Sequence, residues 1–203
     1  MMNKMGVKGQ LLVISGPSGA GKGTVCKSLL EKNDIWISVS ATTRKPRAGE
    51  VDGVNYYFID KEEFLERIDN DDFLEYAEVY GNYYGTPKSK VFEVLESGKD
   101  VILEIDIQGA LKIKSAYPDG VFIFILPPSM EELKSRITNR GSETPESLKT
   151  RLSSAYEEIS FASKYDYAVI NDEVNEAVKK IESIIAAEKC RVYKIKDEIL
   201  GRF

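Results

Sequence analysis

The chain contains no histidine in 203 residues. That absence removes Ser-His-Asp and Cys-His nucleophilic chemistry, zinc sites that need imidazole, and any histidine general base. Cysteine is nearly missing too. Cys26 and Cys190 lie far apart with no metal-ligand spacing, and a reducing compartment argues against a disulfide between them. Cys26 falls in a helical pattern and reads as a small packing residue. No apolar run nears the roughly 20 residues that span a bilayer, so no membrane partner is expected. The opening Met-Met-Asn-Lys-Met-Gly lacks the apolar stretch of a signal peptide, and a cytoplasmic location is the expectation. Nor is there a basic excess. The 28 Lys and Arg against 33 Asp and Glu leave a net charge of −5, which offers no field for nucleic acid. What remains for chemistry is electrostatics, carboxylates or a metal.

What is present begins with Leu11 to Thr24, Leu-Leu-Val-Ile-Ser-Gly-Pro-Ser-Gly-Ala-Gly-Lys-Gly-Thr. Four apolar residues predict a short buried strand, and the pattern from Val25 through Leu29 and Leu30 predicts a helix. Between them stand Gly16, Gly19, Gly21 and Lys22. A glycine loop that turns backbone N–H groups inward, a helix N-terminus and a lysine form a site for a polyphosphate. The position after the lysine, where a Ser or Thr hydroxyl usually meets Mg²⁺, is Gly23, and the hydroxyl comes at Thr24. This version resembles the loop of small nucleoside monophosphate kinases, and it points to a metal held largely by phosphate oxygens and water.

Near-continuous apolar runs recur at Leu11–Ile14, Ile35–Val39, Val101–Ile105, Val121–Leu126 and Tyr167–Ile170. Strands of this kind are covered on both faces, which predicts a parallel sheet flanked by helices. Helices are expected over Gly21–Lys32, over Ile107–Ala116, from Ser129 with Glu132 as a capping box, and along Val174, Val178, Ile181 and Ile185. The fold class is therefore α/β, a P-loop parallel sheet core with helices on both faces and ligands at the carboxyl ends of the strands. The length suits one domain with insertions. Core segments are placed at 1–40, 100–130 and 161–203. Two segments break the rhythm. Residues 41–99 turn polar and tyrosine-rich, with short alternating stretches around Val54–Phe58 and Phe73–Val79 and a helix opened by Thr86-Pro87, and read as a small antiparallel insert. Residues 131–160 are charged and helical, with a break at Arg140-Gly141-Ser142 and a restart at Thr144-Pro145, and read as a lid. The tail after Lys189 reads as a basic helix end.

In the insert, Ser40-Ala-Thr-Thr-Arg-Lys-Pro-Arg-Ala-Gly-Glu50 gathers two arginines and a lysine around a proline turn. Such charge runs are commonly solvated. Here tyrosines lie in the same insert, and arginine forks with tyrosine hydroxyls suit a phosphate monoester. Tyr57 and Tyr83 alternate against Tyr56 and Tyr84 and read as edge packing.

These stretches, with Gly-Asn-Tyr-Tyr-Gly-Thr86 and Ile-Leu-Glu-Ile-Asp106-Ile-Gln-Gly, closely resemble guanylate kinase in the right order from about Gln10 to Lys189. The arginine-proline-arginine run and the Asn-Tyr-Tyr-Gly loop are the more diagnostic parts. The resemblance implies that Gly16, Pro17, Ser18, Gly19, Ala20, Gly21, Lys22, Gly23 and Thr24 hold ATP, with Asn171 on its adenine side. It implies that Ser40, Arg44, Arg47, Glu50, Tyr56, Glu75, Tyr84, Gly85, Thr86 and Asp106 hold GMP. Family members often carry serine where Thr86 stands, which keeps the hydroxyl. Arg136, Arg140 and Arg151 match the family's lid arginines, and with Lys22 and Arg44 they form the expected catalytic set. Glu132 stands four residues before Arg136, so a solvated ion pair competes with that role.

The chemistry of guanine supports Glu75 separately. Guanine N1–H and its exocyclic amine are adjacent donors, and one carboxylate accepts from both, whereas adenine offers an acceptor at N1. Asp106 ends a strand where P-loop enzymes keep a carboxylate near Mg²⁺. It serves the metal through water, the guanine amine, or both, and Thr24 is the other metal candidate. Glu104, two residues earlier, is a further polar neighbour. The nucleophile would be a GMP phosphate oxygen, already mostly dianionic with a second pKa of about 6, so no general base is needed. The expected reaction is ATP plus GMP to ADP plus GDP, with Mg²⁺, in a monomer or homodimer. Two alternatives stand beside it. A catalytically silent guanylate-kinase-like binding module is opposed by the intact Lys22 and glycines, and a kinase for another acceptor is opposed by Glu75 and the 40–50 stretch.

Overall fold

The computed structural model describes residues 8–79, 81–138 and 145–201. In chain order the elements are β1 (Leu11–Ser15), α1 (Lys22–Lys32), β2 (Ile35–Ile37), β3 (Ala41–Thr42), β4 (Tyr57–Phe58), α2 (Lys61–Asp69), β5 (Phe73–Val79), β6 (Asn82–Pro87) and α3 (Lys88–Glu96). They continue with β7 (Asp100–Glu104), α4 (Ile107–Ala116), β8 (Val121–Leu126), α5 (Met130–Thr138), α6 (Pro145–Ser160), a 3-10 turn at Phe161–Lys164, β9 (Tyr167–Ile170), α7 (Val174–Lys189) and α8 (Val192–Leu200). The chain divides into two compact units. One is the segment ending at Ser15 with Asp34–Phe122, and the other is Gly16–Asn33 with the segment from Ile123 onward.

In the first unit β1 and β2 both pair with β7 in parallel, Leu11 opposite Val101 and Trp36 opposite Val101 on the other side. Val101, Ile102 and Leu103 are fully buried, as a near-continuous apolar run requires when both faces are covered. A four-stranded sheet, ordered β4-β3-β6-β5, forms the insert. It is antiparallel except for its short β3–β4 pair, which is parallel. Along β5 the residues alternate, so that Phe73, Glu75 and Ala77 face inward and Tyr76 and Glu78 outward. Helix α2 was not anticipated. Asp60 caps it by accepting from the Glu63 amide at 2.8 Å, and it buries Phe64 completely. The Phe64 ring stacks on Phe73 at 4.5 Å, a burial worth about 2–3 kcal/mol.

In the second unit β8 and β9 pair in parallel, with Ile123 opposite Tyr167. Helix α1 buries Val25, Cys26 and Leu29, and α7 buries Ala177, Val178, Ile181 and Ile185 at the expected helical spacing. Leu133 and Ile137 of α5 pack with Ala155 of α6. Both cysteines are thiols outside any disulfide, Cys26 buried and Cys190 exposed.

Three local expectations change. Thr86-Pro87 does not open a helix by hydroxyl capping, because β6 runs through Pro87 and the Thr86 hydroxyl is taken by Glu75. Ser129 does cap α5, accepting from the Glu132 amide at 3.1 Å, but the Glu132 carboxylate turns to Arg136 instead of closing a capping box. The tail is a separate helix, α8, after a break at Cys190. Its start is tied to Glu188, which is 4% exposed and accepts from Tyr167, Arg191 and Lys194. Burial raises the Glu188 pKa, and those three donors more than offset it, holding the carboxyl below its usual range.

Candidate active site

The phosphate loop, from Gly16 to Gly21, leads into α1 in the second unit. Gly21 sits at the N-cap of α1 with φ 87°, a left-handed conformation that side chains rarely adopt. It has a second reason to lack a Cβ, which would lie 2.4 Å from Asn171 Nδ2. Lys22 Nζ folds back over the loop and donates to the carbonyls of Gly16 at 2.6 Å and Pro17 at 3.1 Å. A cleft of about 400 Å³ opens beside it, lined by Gly19, Gly21, Thr24, Arg136, Asn171, Asp172 and Val174.

Two candidates named from sequence, Arg136 and Asn171, therefore border the phosphate loop. Arg136 Nη1 donates to the Asn171 carbonyl at 3.1 Å, and its Nε donates to Glu132 Oε1 at 2.8 Å. Asn171 follows β9 directly and is 2% exposed. Its Nδ2 donates to the Ala20 carbonyl at 2.8 Å, while its Oδ1 is buried without a hydrogen-bond partner. Glu158 of α6, not singled out from sequence, accepts from the Ser18 amide at 3.3 Å. Arg140 lies outside the described residues, as does the side chain of Arg151. Among the described residues no three His, Cys, Asp or Glu side chains cluster to hold a metal. Thr24 and Asp172 both line the cleft, and each carries a side-chain oxygen of the kind that holds Mg²⁺ through water.

The other candidates assemble within the first unit. Glu75 and Thr86 are register partners across β5 and β6, so their side chains share the inward face. Thr86 Oγ1 donates to Glu75 Oε1 at 2.7 Å. Glu75 Oε2 is buried with no partner. Desolvation in this 6% exposed position pushes the carboxyl up to about 7. The Thr86 hydroxyl pulls the other way, Asp106 adds to the rise, and Lys112 opposes it. Gly109, in the first turn of α4, is the residue sequence reasoning missed. A Cβ there would stand 2.5 Å from Glu75 Oε2. It closes the family-like stretch ending Asp106-Ile-Gln-Gly but was given no role, because the contact that needs it is more than thirty residues away along the chain. Asp106 caps α4 by accepting from the Gly109 amide at 3.0 Å.

Arg44 forms a bidentate pair with Glu50, Nη1 to Oε2 at 3.0 Å and Nη2 to Oε1 at 2.9 Å. Each stabilises the other's charged form, Arg44 raised and Glu50 lowered. Glu50 Oε2 also accepts from the Arg47 amide at 2.7 Å. The Arg44 guanidinium lies 5.5 Å from the Tyr56 ring centre, and Tyr56 meets Tyr84 edge to face at 5.9 Å. Burial raises the Tyr56 hydroxyl's pKa, so at neutral pH it remains a donor. The Arg47 side chain is exposed, and so is Tyr57, whereas Tyr83 packs on Phe64 at 5.4 Å. Ser40 and Gly85 flank this group, Ser40 accepting from the Tyr57 amide through its carbonyl and Gly85 pairing with Ala41.

The family model for guanylate kinase matches residues 8–188. The chain is 71% identical over 203 residues to a guanylate kinase of Clostridium perfringens strain SM101, covering 98% of this chain and 94% of that one. It is 69% identical over 193 residues to a guanylate kinase of Clostridium tetani, covering 95% and 93%. A solved guanylate kinase from Anaplasma phagocytophilum superposes with a TM-score of 0.78 at 39% identity, covering 92% of this chain and 89% of that one.

Proposed function

The chain belongs to the guanylate kinase family and so transfers the γ-phosphoryl group of ATP to GMP, and we propose that the two residue sets described above carry that reaction. Glu75 carries the acceptor side of this reading. A buried carboxylate with one oxygen occupied by Thr86 and the other without a partner is matched by a ligand that brings hydrogen-bond donors. Guanine does so through N1–H and its amine. A base without those donors would leave the carboxylate uncompensated, a mismatch worth ~10²–10⁴ in discrimination. Asp106 stands at the α4 start beside Gly109 and takes the guanine amine. Arg44, Tyr56 and Tyr84 hold the GMP phosphate, with Ser40, Arg47, Glu50 and Gly85 completing the pocket wall.

On the donor side the loop from Gly16 to Thr24 holds the ATP phosphates through its backbone amides, and Lys22 shifts from its two carbonyl partners onto the terminal phosphate. Asn171 Oδ1 accepts from the donor nucleotide. Mg²⁺ would bind phosphate oxygens and water near Thr24 and Asp172, cancelling phosphate charge there. The Asp106 carboxylate, committed in part to the Gly109 amide, acts on the guanine side in this reading.

Transfer needs no proton abstraction, which accords with a chain without histidine. A GMP phosphate oxygen attacks the γ-phosphorus, and the chain's task is to align two anions and offset their charge. Arg136, with Arg140 and Arg151, supplies positive charge as the 131–160 lid closes, and the 41–99 insert closes over GMP, excluding water that would otherwise hydrolyse ATP. No helix among the described residues is long and apolar enough to cross a membrane, and the substrates suit a cytoplasmic enzyme acting as a monomer or homodimer. The test is ADP release from ATP and Mg²⁺ with GMP, AMP, CMP or UMP in turn. Turnover confined to GMP is expected, and equal use of AMP would remove Glu75 as the base reader.

A further inference from the structure

The Ala20–Gly21 peptide turns about ψ of Ala20 and φ of Gly21, and Gly21, at φ 87°, sets no Cβ against that rotation on its side. The glycine side of such a peptide tolerates more than one orientation, so the backbone at Gly21 does not by itself fix the plane. A phosphate loop works only when its N–H groups point at the anion, so rotation of this peptide would present a carbonyl where a donor is needed. Something has to hold the plane. The Asn171 amide does this geometrically, with Nδ2 donating to the Ala20 carbonyl at 2.8 Å in a residue 2% exposed. In a planar trans peptide the C=O and the N–H point in opposite directions. Anchoring the Ala20 oxygen on Asn171 therefore turns the Gly21 N–H to the far side.

We propose that Asn171 is a positioning residue for the phosphate loop, fixing the Ala20–Gly21 peptide so that the Gly21 N–H faces a bound phosphate. This rests on the reading that the Gly16–Thr24 loop holds the ATP phosphates. Asn171 is itself held at both backbone atoms, its N–H donating to Leu126 at 2.8 Å and its carbonyl accepting from Arg136 at 3.1 Å. Glu158 also reaches the loop, at the Ser18 amide. That bond is longer, 3.3 Å, and half-exposed, so water competes with it. The Asn171 bond is buried, and its loss leaves a buried carbonyl without that donor.

The test measures Mg²⁺-tripolyphosphate, ATP and GMP affinity for the full-length wild type and for Asn171→Leu, which keeps the side chain's shape without its donor. About tenfold weaker binding of both tripolyphosphate and ATP is expected, with GMP affinity unchanged. A loss confined to ATP would overturn the proposal, since tripolyphosphate has no base and Asn171 would then act on adenine alone. Unchanged affinity for both would overturn it as well. Wild type that fails to bind tripolyphosphate would overturn the loop reading itself, and the proposal with it. Asn171→Ala is measured alongside, so that poor folding of the leucine variant still leaves the outcome decided.

Discussion

Thr86 donates its hydroxyl to one oxygen of Glu75 at 2.7 Å and leaves the other buried with no partner. A half-satisfied buried carboxylate is costly, and in the proposed reading a bound guanine offsets that cost. Its charge is stabilised in part by the strand partner, and the remainder awaits a ligand with donors.

Glu75→Gln replaces an acceptor with a group that presents N–H toward guanine. GMP KM is expected to rise by ~10²-fold or more while ATP affinity stays within about twofold. Steady-state kinetics with each substrate varied in turn measures both. An unchanged GMP KM would exclude Glu75 as the base reader.

The same residue predicts a pH dependence. Burial raises its carboxyl from 4.5 to about 7, so between those values the folded state holds a proton that the unfolded state has released. Stability from this group is full below the unfolded value and is lost as pH rises through 7, by up to about 3 kcal/mol. Glu75→Gln should therefore melt higher than wild type at pH 8, with the gain vanishing near pH 4. Ligand affinity runs the other way, because protonated Glu75 loses its charge and one of its two acceptor oxygens, and no longer accepts from N1–H and the amine together. Guanosine, which has no titrating phosphate, should bind more weakly as pH falls below 7, and calorimetry at pH 6 and 8 measures it.

Thr86→Val removes the hydroxyl that favours the charged carboxylate. The midpoint of the guanosine pH profile should move upward and GMP KM at neutral pH should rise several-fold, while Thr86→Ser restores both. A valine variant with the wild-type midpoint would make the bond irrelevant to function.

Gly109→Ala places a methyl group 2.5 Å from Glu75 Oε2. Either the carboxylate turns away or α4 shifts, and GMP KM is expected to rise by about tenfold or more with kcat on saturating GMP less affected. Circular dichroism checks that the helix content is retained.

Lys22→Ala removes the amine that folds over the loop carbonyls. Turnover should fall by ~10²-fold or more, with a melting temperature close to wild type because the residue is a loop cation and not core. Near-normal turnover would take the loop lysine out of the mechanism.

Strand β8 was legible because a buried strand needs a long apolar run, and Val121–Leu126 is bounded as the sequence predicts. Tyr167–Ile170 is bounded as predicted too, but only its Val169 is buried, so the expectation of cover on both faces does not hold there. Helix α4 is likewise bounded as expected, from Ile107 to Ala116. Helix α2 was missed although its cap, Asp60 before Glu63, and its apolar Phe64 and Ile68 are present, because the surrounding tyrosines suggested strands. Thr86-Pro87 resembles a helix start locally, and only the register with Glu75, a long-range fact, diverts the hydroxyl. Glu75 was singled out from the resemblance to guanylate kinase and the donors of guanine, and it proves to be a buried, inward-facing carboxylate of β5. Gly109 and the Ala20 carbonyl bond of Asn171 were not legible, since each depends on a contact that no local pattern encodes.

The Arg44–Glu50 pair has a consequence for selectivity among anions. A guanidinium already matched by a carboxylate is a poor trap for stray inorganic phosphate, which must displace or share an existing partner and brings no other foothold. If Arg44 receives the GMP phosphate as proposed, a nucleotide whose base is already docked delivers that phosphate at high local concentration and offsets the handicap. On that reading, occupancy by the intact monophosphate is favoured over occupancy by the fragment, even where the fragment is far more abundant.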